Sequence, residues 1–171
     1  MSAARAIVVM GPSGCGKTTL ASALARQLGW AFIEGDELHP EANRAKMAAG
    51  LALDDTDRAP FLDAVAHALA AHPQGAVASC SALKRSYRDR LRAIAGDVLF
   101  VLPQIDAAGL EHRMTTRPGH FMPVSLLTSQ LATLEPPAAD ENACPVDGHL
   151  PSDEQVALVC RALHATGAPP G

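Results

Sequence analysis

The sequence predicts an α/β chain, a parallel β-sheet of about five strands with helices on both faces, folded as one domain over residues 1–171. Three observations lead there. Short apolar runs (Ala6 to Met10, Ala31 to Ile33, Ala76 to Cys80, Val98 to Leu102) lack the polar alternation of a sheet with one wet face. Each therefore reads as a strand covered on both sides. Between these runs lie stretches with apolar residues at helical spacing, Lys17 to Leu28 and then 60–72, 84–95, 106–116, 123–133 and 152–165, and such alternation is the mark of βαβ units. Finally, 171 residues supply one core rather than two.

Each element carries its own signal. The first strand runs into Gly11, and Gly29 closes the helix that follows. Glu41 to Ala49 is helical in spacing. Leu53-Asp54-Asp55-Thr56-Asp57-Arg58 reads as a helix start, with acids near the positive dipole end and Pro60 in the first turn. Arg117-Pro118-Gly119-His120 breaks the chain after a helix and marks a lid segment at about 113–123. Glu135-Pro136-Pro137-Ala138-Ala139-Asp140 reads as a surface connection, and a fifth strand is expected near Ala143 to Val146. The ends, Met1 to Ala4 and Thr166 to Gly171, read as loose.

Composition narrows the function class. With 48% hydrophobic and 19% charged residues the chain is of ordinary globular make-up, which excludes disordered and collagen-like classes. A net charge of -4 argues against a protein held to nucleic acid by phosphate contacts, while leaving room for a local basic pocket. Cys15, Cys80, Cys144 and Cys160 form no CxxC pair or Cys/His cluster, so they read as inert thiols rather than zinc ligands. The N-terminal apolar run is too short for a signal segment or a membrane span, and the expected setting is cytoplasmic.

The chemistry begins at Gly11-Pro12-Ser13-Gly14-Cys15-Gly16-Lys17-Thr18, which satisfies G-x-x-x-x-G-K-[ST] in full. A strand enters the run and a helix leaves it, which is the context of a P-loop NTPase fold. Amides of Gly11, Ser13, Gly14, Cys15 and Gly16 then converge with the helix N-terminus on phosphate, and Thr19 continues that first turn. Lys17 reaches the β- and γ-phosphates of ATP, and the Thr18 hydroxyl ligates Mg²⁺. A glycine-rich turn that merely caps a helix needs only one or two of these residues.

The acceptor side must be read elsewhere. Asp36 follows the second strand, at the carboxyl end where open α/β sheets bind ligands. It can accept the proton of an attacking hydroxyl or hold a metal-bound water; it can equally cap the helix that follows, though His39 beside it favours a site. Arg58 carries a fork of donors suited to a carboxylate. Lys84 and Arg88 lie four apart after the third strand, either as a pair of acceptor contacts or as part of a solvated face with Arg85, Arg90 and Arg92. Arg113 and Arg117 suit a lid that spreads transition-state charge, or, for Arg113, a cation complementing a helix C-terminus. Tyr87 reads as packing, and His67, His72, His112, His149 and His164 as surface or packing residues.

Several separate segments resemble the gluconokinase family, relatives of shikimate kinase and adenylate kinase. They are the phosphate loop, Gly35-Asp36-Glu37-Leu38-His39-Pro40, Asn43 to Met47 with Gly50, Leu53 to Arg58, Cys80-Ser81-Ala82-Leu83-Lys84 with Tyr87-Arg88-Asp89, Arg117-Pro118-Gly119-His120-Phe121, and Gln130 to Pro136. Together they span residues 7 to 147. The resemblance implies ATP-dependent phosphorylation of D-gluconate with Mg²⁺, in a homodimer. It implies that Lys17, Asp36 and Arg117 are catalytic, with Thr18 and Asp36 at the metal. It places Arg113 and Arg117 on the nucleotide, and His39, Arg58, Lys84, Arg88 and His120 at the acceptor. Two other readings stand beside it. The segment at Gly35 lacks the paired arginine expected of a shikimate kinase, and a non-catalytic nucleotide-binding regulator would be expected to lose Lys17, Thr18 or Asp36.

Overall fold

The computed structural model describes residues 4–116 and 124–166. Strands β1 (Ala6–Val9), β2 (Ala31–Glu34), β3 (Ala76–Ser79), β4 (Val98–Gln104) and β5 (Ala143–Asp147) form one sheet in the order β2-β3-β1-β4-β5. Every neighbouring pair is parallel. Helices α1 (Lys17–Leu28), α2 (Glu41–Ala48), α3 (Asp55–Ala70), α4 (Arg85–Ala95), α5 (Ala107–Thr116), α6 (Val124–Thr133) and α7 (Ser152–Thr166) fill the connections.

The apolar strand runs have a direct cause. Successive side chains point to opposite faces of a sheet, and both faces are covered over β1, β3 and β4. The edge strand β2, expected to be covered on both sides, is only part-buried and leaves Phe32 exposed. Ala6, Val8 and Met10 pack with Phe61, Leu62 and Val65 of α3 and Leu91 of α4. Ile7 and Val9 pack on the other side with Leu20 and Leu24 of α1 and Val159 and Leu163 of α7. Because β1 sits between β3 and β4, chain connections leave it in both directions, and a crevice opens at its carboxyl end. The glycine-rich run emerges there.

Two helix starts differ in detail from the sequence expectation. Asp54 caps α3 in a reciprocal box: its Oδ1 accepts from the Asp57 N–H at 2.7 Å, and Asp57 Oδ2 accepts from the Asp54 N–H at 3.0 Å. The helix thus opens at Asp55, within the expected start at Leu53 to Arg58, but Pro60 lies inside it, past the first turn rather than in it. Lys84, with extended backbone, is the N-cap of α4 and not part of its face. Asp36 sits in a 3-10 turn, Gly35–Leu38, while Pro40 is the N-cap of α2, so Asp36 has no capping role there.

Arg88 corrects a larger expectation. It is fully buried, and every guanidinium N–H is engaged. Nε and Nη2 donate to Glu141 at 2.7 and 3.1 Å, Nη1 donates to the carbonyls of Ala82 and Leu83 at 2.9 and 3.2 Å, and Nη2 also reaches the Glu135 carbonyl at 2.9 Å. No donor remains for a substrate. The residue instead straps the connection before β5 to the turn after β3, where Ala82 takes a left-handed backbone with φ 44°. The four cysteines are free thiols; Cys15 and Cys80 are buried, which pushes Cys80 up to about 12 and raises Cys15 as well, while Cys144 and Cys160 are only half-buried.

Removing Arg88 leaves the buried Glu141 carboxylate with only Arg92 Nη2 at 3.1 Å and the Ala138 N–H at 2.9 Å, so Arg88→Ala should lower stability by about 3–5 kcal/mol in urea unfolding. Replacing both, Arg88→Met with Glu141→Leu, should recover most of the loss. Bonding to Arg88 holds the Glu141 carboxyl down at about 2. A depressed folded-state pKa gives stability that is full above the unfolded value, roughly 4.3, and fades as pH falls through the folded one. Melting temperature should therefore drop between about pH 5 and pH 2, and Glu141→Gln should flatten that part of the curve.

Candidate active site

The phosphate loop takes the shape its glycines allow. Gly16, the N-cap of α1, has φ 92°, a left-handed conformation that costs glycine little. Lys17 Nζ donates to the Pro12 carbonyl at 3.1 Å across the loop, and the Ser13 N–H donates to Gln130 Oε1 of α6 at 2.7 Å. Arg113 reaches across from α5, donating from Nη1 to the Gly14 carbonyl at 3.3 Å and from Nη2 to the Gly148 carbonyl at 2.9 Å. It therefore ties the loop to the turn after β5. Its role goes beyond complementing the dipole of α5.

The carboxylate touching Thr18 is that of Glu34, the last residue of β2. Thr18 Oγ1 donates to Glu34 Oε2 at 2.8 Å, and Ser79 Oγ donates to Glu34 Oε1 at 2.6 Å. Ser79 Oγ in turn accepts from the Gly35 N–H at 3.2 Å. A Cβ on Gly35 would lie 2.0 Å from the Ser79 carbonyl oxygen, so only glycine permits this approach. Thr18 and Glu34 together offer the oxygen donors that suit Mg²⁺, which takes one or two carboxylates together with substrate phosphates and water.

Beside the loop lies a cavity of about 360 Å³ lined by Ser13, Lys17, Asp36, His39, Arg58 and Gln130, with Leu51, Leu53 and Phe61 supplying apolar wall. Asp36 thus faces the same space as Lys17. His39 stacks on Phe61, with centroids 3.7 Å apart and planes at 8°. Burial, against the pull of Asp36 and with the help of Arg44 and Arg58, holds its pKa below the ordinary histidine range. Arg58 is held by Tyr87, whose hydroxyl accepts from Nη1 at 2.9 Å and donates to Asp55 Oδ1 at 2.5 Å. The Arg58 guanidinium also lies 5.2 Å from the Tyr87 ring centroid.

The expected residues therefore divide. The loop residues Gly11, Ser13, Gly14, Cys15, Gly16, Lys17 and Thr18 lie together at the end of β1, with Arg113 against them, while Thr19 is exposed on α1. Asp36, His39 and Arg58 meet in the cavity. Lys84 stays outside its lining, 3.5 Å from Asp55 and 5.6 Å from the Tyr87 ring centroid. Arg88 serves the core. Arg117, His120 and most of the expected lid at 113–123 lie outside the described residues.

Sequence reasoning passed over Glu34, Ser79, Gln130 and Tyr87. Glu34 had a readable signal, a carboxylate ending a strand two residues before Asp36. Tyr87 reads as packing because the phenol's partners come from α3, far along the chain. Gln130 meets Ser13 across 117 positions, which no local pattern reveals.

A family model described as an AAA domain matches residues 7–137. A gluconokinase of Gluconobacter oxydans is 52% identical over 167 residues, covering 94% of this chain and 92% of that protein. The crystal structure of a gluconokinase from Sinorhizobium meliloti superposes with a TM-score of 0.88 at 44% identity, over 98% of this chain and 95% of the other. A shikimate kinase from Aquifex aeolicus has a TM-score of 0.62 at 15% identity over 94% and 96% of the two chains, and so shares the fold alone. With that extent of identity over nearly the whole of both chains, the chain belongs to the gluconokinase family.

Proposed function

We propose that this chain is a gluconokinase that transfers the γ-phosphoryl group of ATP to the 6-hydroxyl of D-gluconate, as one domain over residues 1–171 acting in a cytoplasmic homodimer. The observation that carries the reading is the shared cavity, in which the phosphate-loop lysine faces Asp36, His39 and Arg58. Donor and acceptor groups line one space, as in-line transfer demands.

Each side chain then has a task. Lys17 exchanges its bond to the Pro12 carbonyl for phosphate oxygens and follows charge onto the bridging oxygen as it develops. Asp36 orients the primary hydroxyl and takes its proton as the bond to phosphorus forms. Arg58, already aimed by Tyr87, binds the sugar-acid carboxylate, and Lys84 adds positive charge at the rim. Arg113 supports the nucleotide end of the loop. Thr18 and Glu34 would hold Mg²⁺, which when bound neutralises charge between the β- and γ-phosphates. By family resemblance, Arg117 contacts phosphate or adenine and His120 the acceptor. Among the described residues no helix is long and apolar enough to cross a membrane.

A coupled ADP-release assay over a panel of sugar acids should give strong turnover with D-gluconate alone. Equal rates with shikimate, or no gluconate-dependent ADP, would overturn the assignment. Asp36→Asn should keep ATP affinity and lose about 10²–10⁴-fold in kcat; an unchanged kcat would remove Asp36 from proton transfer. Glu34→Gln should raise the Mg²⁺ concentration for half-maximal rate by about 10–100-fold. An unshifted magnesium titration would confine Glu34 to anchoring Ser79.

A further inference from the structure

The acceptor cavity contains a histidine whose protonation can be deduced from its partners. Asn43 of α2 is 3% exposed, and its Nδ2 lies 2.8 Å from the backbone carbonyl of Asp57 and 3.2 Å from Nδ1 of His39. A backbone carbonyl can only accept, so the atom of Asn43 that faces it must be the nitrogen, and the amide cannot be turned end for end. That nitrogen carries two N–H groups and acts only as a donor. With one N–H on Asp57, the other points at Nδ1 of His39, and Nδ1 must accept. The imidazole is therefore neutral with its proton on Nε2.

The anchor is firm. Asp57 belongs to the capping box of α3, and its Oδ2 accepts from Lys46 Nζ of α2 at 2.6 Å, so Asp57 ties α3 to α2 at Lys46 as well as at Asn43. The His39 ring is held flat on Phe61 of α3. The charged groups facing it are Asp36 from the 3-10 turn, Arg44 from α2 and Arg58 from α3. Among the described residues, Nδ1 is the ring nitrogen with a protein partner, and His39 lines the cavity.

We infer that Asn43 is a positioning residue that fixes His39 as the Nε2–H tautomer, so that His39 offers the acceptor sugar acid a hydrogen-bond donor and never a base. The inference rests on the cavity being the gluconate site. It assigns complementary tasks to the two titratable groups there. A substrate oxygen with a free lone pair is recognised at His39, and the proton of the attacking hydroxyl leaves through Asp36. A polyol lacking that oxygen leaves the half-buried N–H without its substrate partner and is selected against.

The direct test is a long-range ¹H–¹⁵N correlation spectrum of the histidine rings in the full-length ¹⁵N-labelled chain, with His39 assigned by its loss in His39→Gln. The pattern of an Nε2–H tautomer at pH 7 is expected. An Nδ1–H tautomer or an imidazolium would overturn the inference, with no substrate needed. Asn43→Leu removes the donor at similar size. It should give His39 a mixed tautomer pattern and raise KM for gluconate about tenfold, with KM for ATP within about twofold. Asn43→Asp replaces the donor by an acceptor, should draw a proton onto Nδ1, and should move the acidic limb of kcat/KM for gluconate to higher pH. If Asn43→Leu leaves both the ring spectrum and the gluconate KM unaltered, Asn43 is only a tie between helices and the inference fails. If instead the spectrum is as expected and gluconate is not phosphorylated, the identity of the acceptor falls and the tautomer assignment stands.

Discussion

At the carboxyl ends of β2 and β3 the backbones come so close that a single methyl group at Gly35 would overlap the Ser79 carbonyl oxygen. That approach sets the distance between the two halves of the site. On one side, Ser79 Oγ and Glu34 lead to Thr18 and the phosphate loop. On the other, the chain turns at Gly35 directly into Asp36 and the acceptor cavity. Phosphoryl transfer is mostly positioning, and an error of an ångström is costly. A contact that admits no side chain is a stiffer spacer than any pair of side chains.

Charge is handled in the same economical way. The chain carries a net charge of -4, yet Lys17 and Arg58 line the cavity and Arg113 stands on the loop. Positive charge is thus concentrated where ATP and a sugar acid must both enter, and a concave wall focuses its field on anions. The arginines of α4 are held away from that work. Arg88 is spent on Glu141, and Arg90 on Asp63, so the basic character of α4 does not compete for substrate.

How much of this is legible in the sequence depends on the range over which a residue finds its partner. The phosphate loop and the buried strands are local patterns, and the structure reproduces them together with β5. His39 and Asp36 sit within one turn of each other, so a local pattern is enough to group them, and both line one cavity. Arg88 does not, because its burial is decided by Glu141, 53 positions away, and a cation at the right helical spacing looks the same whether it faces water or a carboxylate. The start of α3 is legible in the acids of Leu53 to Arg58, where Asp54 and Asp57 form the capping box, but Pro60, which marks a first turn in most contexts, lies deeper in the helix.

The loop itself shows why affinity for the donor must come from charge. Lys17 Nζ and the Ser13 N–H already have partners, the Pro12 carbonyl and Gln130 Oε1. Phosphate oxygens therefore exchange hydrogen bonds with the protein rather than add them, and a neutral exchange contributes little, about 1 kcal/mol or less per bond. What the exchange adds is ionic: an ammonium and a set of oriented amides meet two or more negative oxygens instead of neutral carbonyls. Gln130, which accepts from the Ser13 N–H of the loop, also lines the cavity that holds Asp36, His39 and Arg58, so the loop and that cavity share one side chain as a common wall.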